Sequence, residues 1–598
     1  MHARLFPARR RLPRGMLARP PAIGQMAGDR AGRRRQNRGQ EDQGLPETRV
    51  DRHRNRRRLA PITRLRAFIA RHDRYDLAVW VLLALLVLLV FLTYDAYAIS
   101  NDEQAQQHYG ELIVAFYRSG FADQSLFHYE NLYLYGGLFD VLAVLAQHLL
   151  PFLDPYVVRH LLSALIGIAG IGAAAATARL VAGARAGAIA GFALAVCGPW
   201  YGSMFNHTKD IPFAAAMMGA TYFLLRAARD LPAPRPRHVI GFGVLLGAAL
   251  GIRVLGLLMV GYAGLAILMH MAQVREATMR GQSRFFAESV IALSPAFVIG
   301  YAIMVAAWPW SALAPLNPLR GLLDFGAFNY QVKTLLAGQV YDMGDVPRWY
   351  VPAYLVIKLP IMMLAGAVSA LAFVLWRERG DNWRRRLETA LIVFIAAFPV
   401  VCEVIDRGPA YTGLRHFLFV VPPFAVLAGI GFDWLLVKLS ARGRAYRLGA
   451  AAAITAALAW NAGVLVMLHP YQYLYYNPLV GGLEGAARNY DTDYWVNIMP
   501  EAVDALEAYV VSLDATDPGR HYTVAVCGQR LPFEKEADNR LQFTPDWSKA
   551  DFFIAPTHMN CDRALDGAVI ATIARLGVPI GVVKDRRALV RSNVAGHR

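Results

Sequence analysis

The sequence predicts a mainly α-helical, polytopic membrane protein with about eleven transmembrane helices and a small α/β domain at its carboxyl end. Hydrophobic residues make up 56% of the 598 residues, charged residues only 18%, and the mean hydropathy is +0.31. This composition argues against an ordinary soluble enzyme. Apolar runs long enough to cross a bilayer recur from Leu77 to Leu468, whereas residues 470–598 alternate helical and strand-like patterns.

The basic excess of the chain belongs to residues 1–74. This segment contains 21 Arg and six acidic residues, which gives a net charge of +15 out of +18 for the whole chain. It is rich in Arg, Pro and Gly and has no apolar periodicity, so it predicts a disordered cytoplasmic tail. Because the remaining residues are close to neutral, the sequence argues against nucleic-acid binding.

The apolar runs predict the membrane spans. The first run, at 77–92, has no small-residue cleavage site after it and therefore predicts a membrane anchor rather than a signal peptide. The other predicted spans lie at 156–178, 186–204, 211–228, 238–252, 254–271, 285–310, 350–376, 387–405, 416–437 and 448–468.

Residues 132–152 decide the topology, because they are apolar but are interrupted by Asp140, His148 and a Gly pair. If residues 132–152 do not cross the membrane, the loops on the same side as the basic tail contain eighteen Lys or Arg, and the loops on the opposite side contain nine. The positive-inside rule favours this arrangement. It predicts an amphipathic or re-entrant element on the outer face, and it places the end of the chain outside, in the periplasm of a Gram-negative cell.

The pattern therefore divides the chain into a tail at 1–74, a membrane domain at 75–469 and an outer domain at 470–598. In the outer domain, periodicity predicts helices at 500–513 and 565–577 and buried strands at 522–528 and 550–556.

Two further features of the outer domain leave alternatives open. Cys527 and Cys561 could pair in an oxidising compartment, although two cysteines alone do not establish a disulfide. Residues 469–495 are rich in aromatic side chains, a pattern that favours interfacial anchoring over the stacking of a sugar.

Asp102 and Glu103 follow directly after the first predicted span. Acids at a membrane face are costly to desolvate and often mark ion, proton or catalytic sites. The alternative is structural, since Asn101 or Asp102 could cap the following helix and Glu103 could favour its dipole. The residue types alone do not separate these two interpretations.

A second outer turn contains His207, Lys209 and Asp210, with Pro212 opening the next helix. A cation beside a helix N-terminus suits a phosphate, and a nearby carboxylate suits a metal ion or a hydroxyl. Snorkelling by Lys209 and capping by Asp210 are the structural alternatives. Other basic residues on the outer side, which favour an anionic partner, are Arg253, Arg407, Arg415 and His416.

These motifs resemble the GT-C superfamily of membrane glycosyltransferases, in particular its protein O-mannosyltransferase-like and aminoarabinose-transferase-like branch. The matching pieces, spread over residues 76 to about 440, are Asp102-Glu103 with His108-Tyr109-Gly110, NLYLYGGLFDVL from 131, DPYVVRHLLSAL with Arg159, HTKD before Pro212, and RHFLFVVPP from 415.

The resemblance implies that a sugar moves from a polyprenyl-phosphate-linked monosaccharide to a hydroxyl acceptor on the outer face, with inversion. Asp102 would act as the general base, and Glu103 would position the acceptor or share that role. Lys209, Arg415 and Arg253 would neutralise the departing lipid phosphate. The remaining candidate substrate contacts are His207, Asp210, His416, His108 and Arg159.

The resemblance also implies the partners and the location. The donor is a polyprenyl-phosphate sugar, the acceptor is an envelope glycan, lipid or protein, and membrane lipids surround the protein in the bacterial inner membrane. Asp210 and Asp102 could hold a divalent cation, which is optional in this superfamily, so no metal ion is assigned.

Two other functions are alternatives to this one. A lipid-linked oligosaccharide ligase or polymerase would depend on Arg and His in a large outer loop and little on Asp102. A lipid or sugar transporter would show internal repeats and charges near the bilayer midplane, whereas the charges of this sequence cluster at one face.

Overall fold

The computed structural model describes residues 73–273, 278–314, 316–327, 332–376, 382–406, 410–513 and 519–596. The predicted tail, up to residue 72, and Arg407 lie outside these described residues.

The described part of the chain is a multi-pass membrane protein. Eight of its helices are long and apolar enough to cross a bilayer, and they span Arg74–Ala96, Pro155–Ala182, Asp210–Ala228, Val254–Met271, Met279–Ala307, Trp383–Asp406, Arg415–Arg442 and Arg444–Leu468. Two bent pairs raise the number to ten, namely Ala184–Ala195 with Gly198–Asn206 and Tyr350–Lys358 with Ile361–Leu375.

The predicted number of eleven spans is not reached because of one helix. The apolar run at 238–252 forms the helix Pro236–Leu250, which has only 15 residues. At 1.5 Å per residue this helix is about 22 Å long, less than the roughly 30 Å of a hydrocarbon core. It still returns the chain to the face of Asp210, because Arg253, just beyond its end, pairs with that residue.

The helices before the outer domain are α1 (Arg74–Thr93), α2 (Glu103–Arg118), α3 (Leu138–Leu149), α4 (Pro155–Ala182), α5 (Ala184–Ala195), α6 (Gly198–Asn206), α7 (Asp210–Ala228), α8 (Pro236–Leu250), α9 (Leu258–Met271), α10 (Met279–Ala307), α11 (Trp310–Leu313), α12 (Asn317–Ala327), α13 (Tyr350–Lys358), α14 (Ile361–Leu375), α15 (Trp383–Asp406), α16 (Val421–Arg442), α17 (Arg444–Leu468) and α18 (Gly482–Ala486). A hairpin of β1 (Lys333–Leu336) and β2 (Gln339–Asp342) precedes α13.

Residues 132–152 form no long helix. A short 3-10 turn is followed by α3, whose 12 residues are too few to cross a bilayer. The turn into α3 packs tightly on the end of α8, since a Cβ added at Gly136 would lie 2.1 Å from the carbonyl oxygen of Gly251. The Leu138 N–H also donates to that carbonyl, at 2.9 Å. Only a glycine at position 136 therefore permits this close contact. Its partner, Gly251, lies two residues before Arg253.

The outer domain contains a five-stranded sheet of β3 (Tyr522–Val526), β4 (Leu541–Phe543), β5 (Phe552–Pro556), β6 (Ala568–Arg575) and β7 (Val578–Asp585), in the order β4-β3-β5-β7-β6. Strands β3 and β4 are parallel, as are β3 and β5, whereas β7 is antiparallel to both β5 and β6. The helices of this domain are α19 (Met499–Leu513), α20 (Arg530–Glu536) and α21 (Arg587–Gly596).

The predicted helix at 500–513 and the two predicted strands are confirmed by α19, β3 and β5. The predicted helix at 565–577 is wrong, because these residues form β6 and the turn into β7. Leu576 and Gly577 both have positive φ, at 51° and 78°, which suits a two-residue hairpin turn. The β-branched residues of β6 favour the extended backbone that this hairpin requires.

Cys527 and Cys561 form a disulfide. Cys527 directly follows β3, and Cys561 lies in the short 3-10 segment after β5. Since β3 and β5 are parallel neighbours, the bond joins the two loops at their carboxyl ends.

We call residues 471–498 the connecting segment, because they link α17 to the sheet-containing part of the predicted outer domain, residues 499–596, for which the name outer domain is kept below. Four of its tyrosines, Tyr471, Tyr473, Tyr475 and Tyr476, are buried in protein, so the predicted interfacial anchoring of these side chains is wrong. The Asn477 amide donates to two backbone carbonyl oxygens at the end of α13, at 2.6 and 2.8 Å. The connecting segment thus packs on the membrane helices.

Candidate active site

Four charged side chains from distant parts of the sequence meet in one place, and we call them the acid–cation cluster: Asp102, Asp210, Arg253 and Arg415. Each lies at an end of a membrane helix or in the loop beside it. Asp102 precedes α2, Asp210 opens α7, Arg253 follows α8, and Arg415 opens the 3-10 turn before α16.

Arg415 lies between the two carboxylates. It forms an ion pair with Asp102, and its Nε lies 3.3 Å from Oδ2 of Asp210. Arg253 forms a second ion pair with Asp210. Both arginines and Asp210 are largely buried, whereas the Asp102 side chain is 35% exposed. Asp102 is thus the carboxylate of the cluster that a substrate hydroxyl can reach.

The capping alternative for Asp102 does not account for its side chain. Asp102 holds the N-cap position of α2, but its carboxylate accepts no hydrogen bond from the helix N–H groups. Glu103 contacts the residue before this turn instead. Its Oε1 accepts the N–H and the hydroxyl of Ser100, at 3.0 and 2.7 Å.

Glu103 is also paired with a buried histidine. Its carboxylate lies 2.9 Å from Nε2 of His160, and the side chain is almost fully buried. His160 comes from α4 and was not singled out by the sequence pattern. These contacts turn Glu103 inward, away from the exposed Asp102.

A second buried group adjoins the acid–cation cluster around Asp140. Arg159 donates to Asp140 at 2.8 Å, and both side chains have no exposed surface. Nζ of Lys209 lies 3.4 Å from the other Asp140 oxygen, and 5.0 Å from the centre of the Tyr135 ring. Burial lowers the pKa of the Lys209 ammonium, and the attraction of Asp140 opposes that shift.

His207 contacts the cluster from the loop between α6 and α7. Its Nδ1 lies 3.7 Å from Oδ2 of Asp210, and its Nε2 accepts the indole N–H of Trp495. Burial lowers the pKa of His207, and Asp210 opposes that shift. The half-buried His416 packs edge-on against Tyr411, with ring centres 4.6 Å apart.

His108 and Arg159, two of the predicted substrate contacts, do not belong to the acid–cation cluster. His108 is half exposed on α2, lies 3.4 Å from Glu111 and packs on Tyr129. Arg159 has no exposed surface and donates to Gln106 and Thr208 as well as to Asp140. The structure therefore brings Arg159 near the cluster, through Lys209 and Asp140, but does not bring His108 there.

An apolar groove of about 440 Å³ begins beside the cluster, between α3, α4, α7 and α8. The end of the groove nearest to the cluster is lined by Pro212 and Ile252, which are close in sequence to Asp210 and Arg253. It continues along α7 to Phe223, a distance of about 16 Å by helix rise.

The connecting segment supplies contacts that sequence reasoning missed. Trp495 and Tyr473 line a small cavity of about 50 Å³ together with Arg415 and His207. Lys358, from α13, lines the same cavity and donates to the carbonyl oxygen of Tyr473 at 3.0 Å. The dense aromatic pattern was visible in the sequence, but it did not reveal which partners those rings would meet.

Among the residues that the structure describes, no group of three His, Cys, Asp or Glu side chains is arranged to hold a metal ion. The guanidinium of Arg415 lies between Asp102 and Asp210, the two carboxylates considered for a divalent cation.

One protein family matches part of the sequence. Its sequence model, described as dolichyl-phosphate-mannose-protein mannosyltransferase, matches residues 152–305, which contain Arg159, His207 to Asp210 and Arg253. No curated protein matches the chain.

Solved structures with a similar architecture include two of ArnT from Cupriavidus metallidurans. The apo structure is 16% identical, with a TM-score of 0.45 over 85% of this chain and 98% of ArnT. The structure bound to undecaprenyl phosphate is 15% identical, with a TM-score of 0.45 over 84% and 97%. The oligosaccharyltransferase AglB from Archaeoglobus fulgidus is 13% identical, with a TM-score of 0.43 over 81% and 69%.

The family match supports the resemblance predicted from the motifs, because residues 152–305 are similar to membrane glycosyltransferases described as dolichyl-phosphate-mannose-protein mannosyltransferases.

Proposed function

We propose that this protein transfers a sugar from a polyprenyl-phosphate-linked monosaccharide to a hydroxyl acceptor, with inversion, at the outer face of the bacterial inner membrane. The observation that carries the proposal is the acid–cation cluster. Within the described residues, it holds one accessible carboxylate, Asp102, beside the buried cations Arg253 and Arg415. A nucleophilic hydroxyl needs a base, and a departing phosphate needs positive charge.

The groove beside the cluster suits the lipid part of the donor. Its lining is apolar from Pro212 to Phe223, and its upper end lies next to Asp210 and Arg253. A polyprenyl chain in this groove would place its phosphate near the two arginines and the N-terminus of α7. The dipole at that helix end also favours an anion.

The chemistry follows from the two kinds of charge. The acceptor oxygen attacks the anomeric carbon while its proton passes to the Asp102 carboxylate. The bond between that carbon and the phosphate oxygen breaks, and the lipid phosphate leaves with the bonding electrons. Arg253, Arg415 and Lys209 stabilise the negative charge that develops on it. Attack from the side opposite the phosphate inverts the anomeric centre.

The direct test uses the purified protein in vesicles with a radiolabelled polyprenyl-phosphate sugar. Label transferred to a glycolipid, polysaccharide or protein fraction supports the proposal and identifies the acceptor class. Transfer only from lipid-linked oligosaccharides would indicate a ligase or polymerase instead. Movement of the intact donor between leaflets, without transfer, would indicate a transporter.

Ala173→Phe tests the groove as the binding site of the polyprenyl chain. Ala173 lines the groove on α4, and a phenyl ring there would fill space that the chain needs. We expect KM for a long-chain donor to rise about tenfold or more, because the chain loses apolar contacts, while KM for a short-chain donor changes little. The kinetics are measured with both donors in detergent.

Ala453→Phe is the matched control, since Ala453 is exposed on α17 and lies outside the groove lining. An equal rise in KM for both donors in Ala173→Phe would contradict the placement of the lipid chain.

The disulfide tests the proposed outer location. A bond between Cys527 and Cys561 persists in an oxidising compartment, whereas the cytosol keeps thiols reduced. After acid trapping of cells and denaturation without reductant, we expect a maleimide polymer to label only Cys197 and Cys402. After reduction, all four cysteines should react.

Gel mobility reports the number of labels, and Cys402→Ser should remove one of them before and after reduction. Four labels without reductant would contradict a periplasmic outer domain.

A further inference from the structure

Trp495, in the connecting segment, contacts two members of the candidate site at once. Its indole N–H donates to Nε2 of His207, and the Arg415 guanidinium carbon lies 4.3 Å from the centre of its ring. The side chain is 3% exposed, so the indole is a fixed wall of the site. A cation over an indole face is attracted by the ring, most strongly where water is excluded.

The indole determines which nitrogen of His207 carries the proton. Because Nε2 accepts the N–H of Trp495, the neutral ring carries its hydrogen on Nδ1. Nδ1 faces Oδ2 of Asp210 at 3.7 Å, and Asp210 in turn holds Arg253 and Arg415. One side chain therefore orients both the histidine and the arginine beside Asp102.

The backbone around Trp495 is held in an unfavourable conformation. Val496 has φ of 56°, a left-handed value that is costly for a β-branched residue. The buried Asp493 carboxylate fixes this turn by accepting the N–H groups of Asn497 and Ile498, at 3.0 and 3.2 Å. Such strain persists only where the surroundings determine the conformation, and here it directs the indole toward Arg415.

The outer domain holds the connecting segment in place. Arg488 donates through both terminal nitrogens to the Asp562 carboxylate, each at 2.8 Å. The N–H of Thr492 donates to Nδ1 of His558, at 3.4 Å. Both partners flank Cys561, which the disulfide ties to the end of β3.

We propose that Trp495 is a positioning residue of the active site and that, through it, the outer domain sets the geometry of His207 and Arg415. This inference rests on the proposed transferase function. It assigns the outer domain a role in the chemistry of the membrane site, namely to hold the connecting segment so that the indole seats the cation nearest to Asp102.

Removing the indole N–H has a specific consequence for His207. In Trp495→Phe the lone pair of Nε2 no longer accepts a hydrogen bond, so His207 binds a proton at higher pH than in the wild type. The added charge lies beside Arg415, and we expect the acid side of the pH–rate profile to move upward by about one unit. The other charged or titratable groups that face His207 or line its cavity are Asp210, Asp102, Lys358, Asp491 and His416.

The experiment compares Trp495→Phe and Trp495→Leu in the full-length protein. We expect kcat to fall about tenfold in Trp495→Phe and about 100-fold in Trp495→Leu, with KM for the donor changed less than about threefold. The pH shift of Trp495→Phe should disappear in a His207→Ala background. Trp460→Leu is the matched control, because Trp460 is 66% exposed on α17.

A second measurement does not depend on activity. The losses in Tm from Trp495→Leu and Arg415→Gln should be less than additive in the double variant, because each substitution removes the same contact between the indole and the guanidinium. An unchanged pH profile and kcat in the Trp495 variants of an active enzyme would overturn the inference, as would additive losses in Tm. A wild-type protein without transfer would instead refute the proposed function, and the Tm cycle would still decide whether Trp495 holds Arg415.

Discussion

We expect Asp102→Asn to lower kcat for sugar transfer by about 1,000-fold, with little change in stability. Asparagine keeps the size of the side chain but cannot accept the proton of the attacking hydroxyl, and general bases contribute about 10²- to 10⁴-fold. Stability should survive because Asp210 still pairs with Arg415. The measurement is single-turnover transfer from a radiolabelled polyprenyl-phosphate sugar, together with Tm in detergent.

Asp154→Asn is the matched control. The Asp154 side chain is also 35% exposed, and it caps α4 through the N–H of Tyr156. Asparagine caps a helix about as well as aspartate, so both activity and Tm should remain near wild type. Transfer by Asp102→Asn at the rate of Asp154→Asn would refute the role of Asp102 as the base.

Glu103→Gln should behave differently from Asp102→Asn. Its carboxylate is buried against His160 and accepts two hydrogen bonds from Ser100, so its loss should lower Tm as well as activity. A normal Tm combined with loss of transfer in Glu103→Gln would support the shared catalytic role that the resemblance implies for this residue.

Hydropathy is sufficient to predict a membrane bundle. Each span must form the hydrogen bonds of its own backbone within one helix and face lipid with apolar side chains, so it needs a long apolar run. Hydropathy does not predict the bends within two spans. A proline stands at each break, Pro199 in one and Pro360 in the other, and proline interrupts the hydrogen bonds of a helix. The prediction at 565–577 is wrong because a short apolar run does not distinguish a helix from a strand.

The candidate site was partly predictable for a topological reason. Once the loops are assigned to sides of the membrane, Asp102, Asp210, Arg253 and Arg415 fall on one face, and the structure brings all four into ionic contact. The spacing Ser100-x-x-Glu103 matches the sequence signature of a capping box, and this signal could have separated the two neighbouring acids by predicting that Glu103 contacts Ser100. Nothing local in the sequence pairs Trp495 with His207, since 288 residues separate them.

The second large effect is on stability, and we expect Asp140→Asn to lower the free energy of unfolding by about 3–5 kcal/mol. Asp140 is the shared counter-ion of Arg159 and Lys209, and its removal leaves two buried cations without an anion. Chemical or thermal unfolding in detergent measures the loss. Arg284→Met is the control, because this exposed pair with Glu288 should contribute only about 0.5 kcal/mol.

The stabilities of these variants distinguish a structural role for Arg159 from the predicted substrate contact. Arg159→Met leaves Asp140 paired with Lys209, so it should lower the free energy of unfolding less than Asp140→Asn does. The double variant, Asp140→Asn with Arg159→Met, should also lower it less, because the single buried lysine that remains can lose its proton. If Arg159 instead binds substrate, Arg159→Met will keep the wild-type Tm and raise KM for the donor at unchanged stability. A lowered Tm with unchanged KM would place Arg159 in the scaffold that holds Lys209 beneath the leaving phosphate.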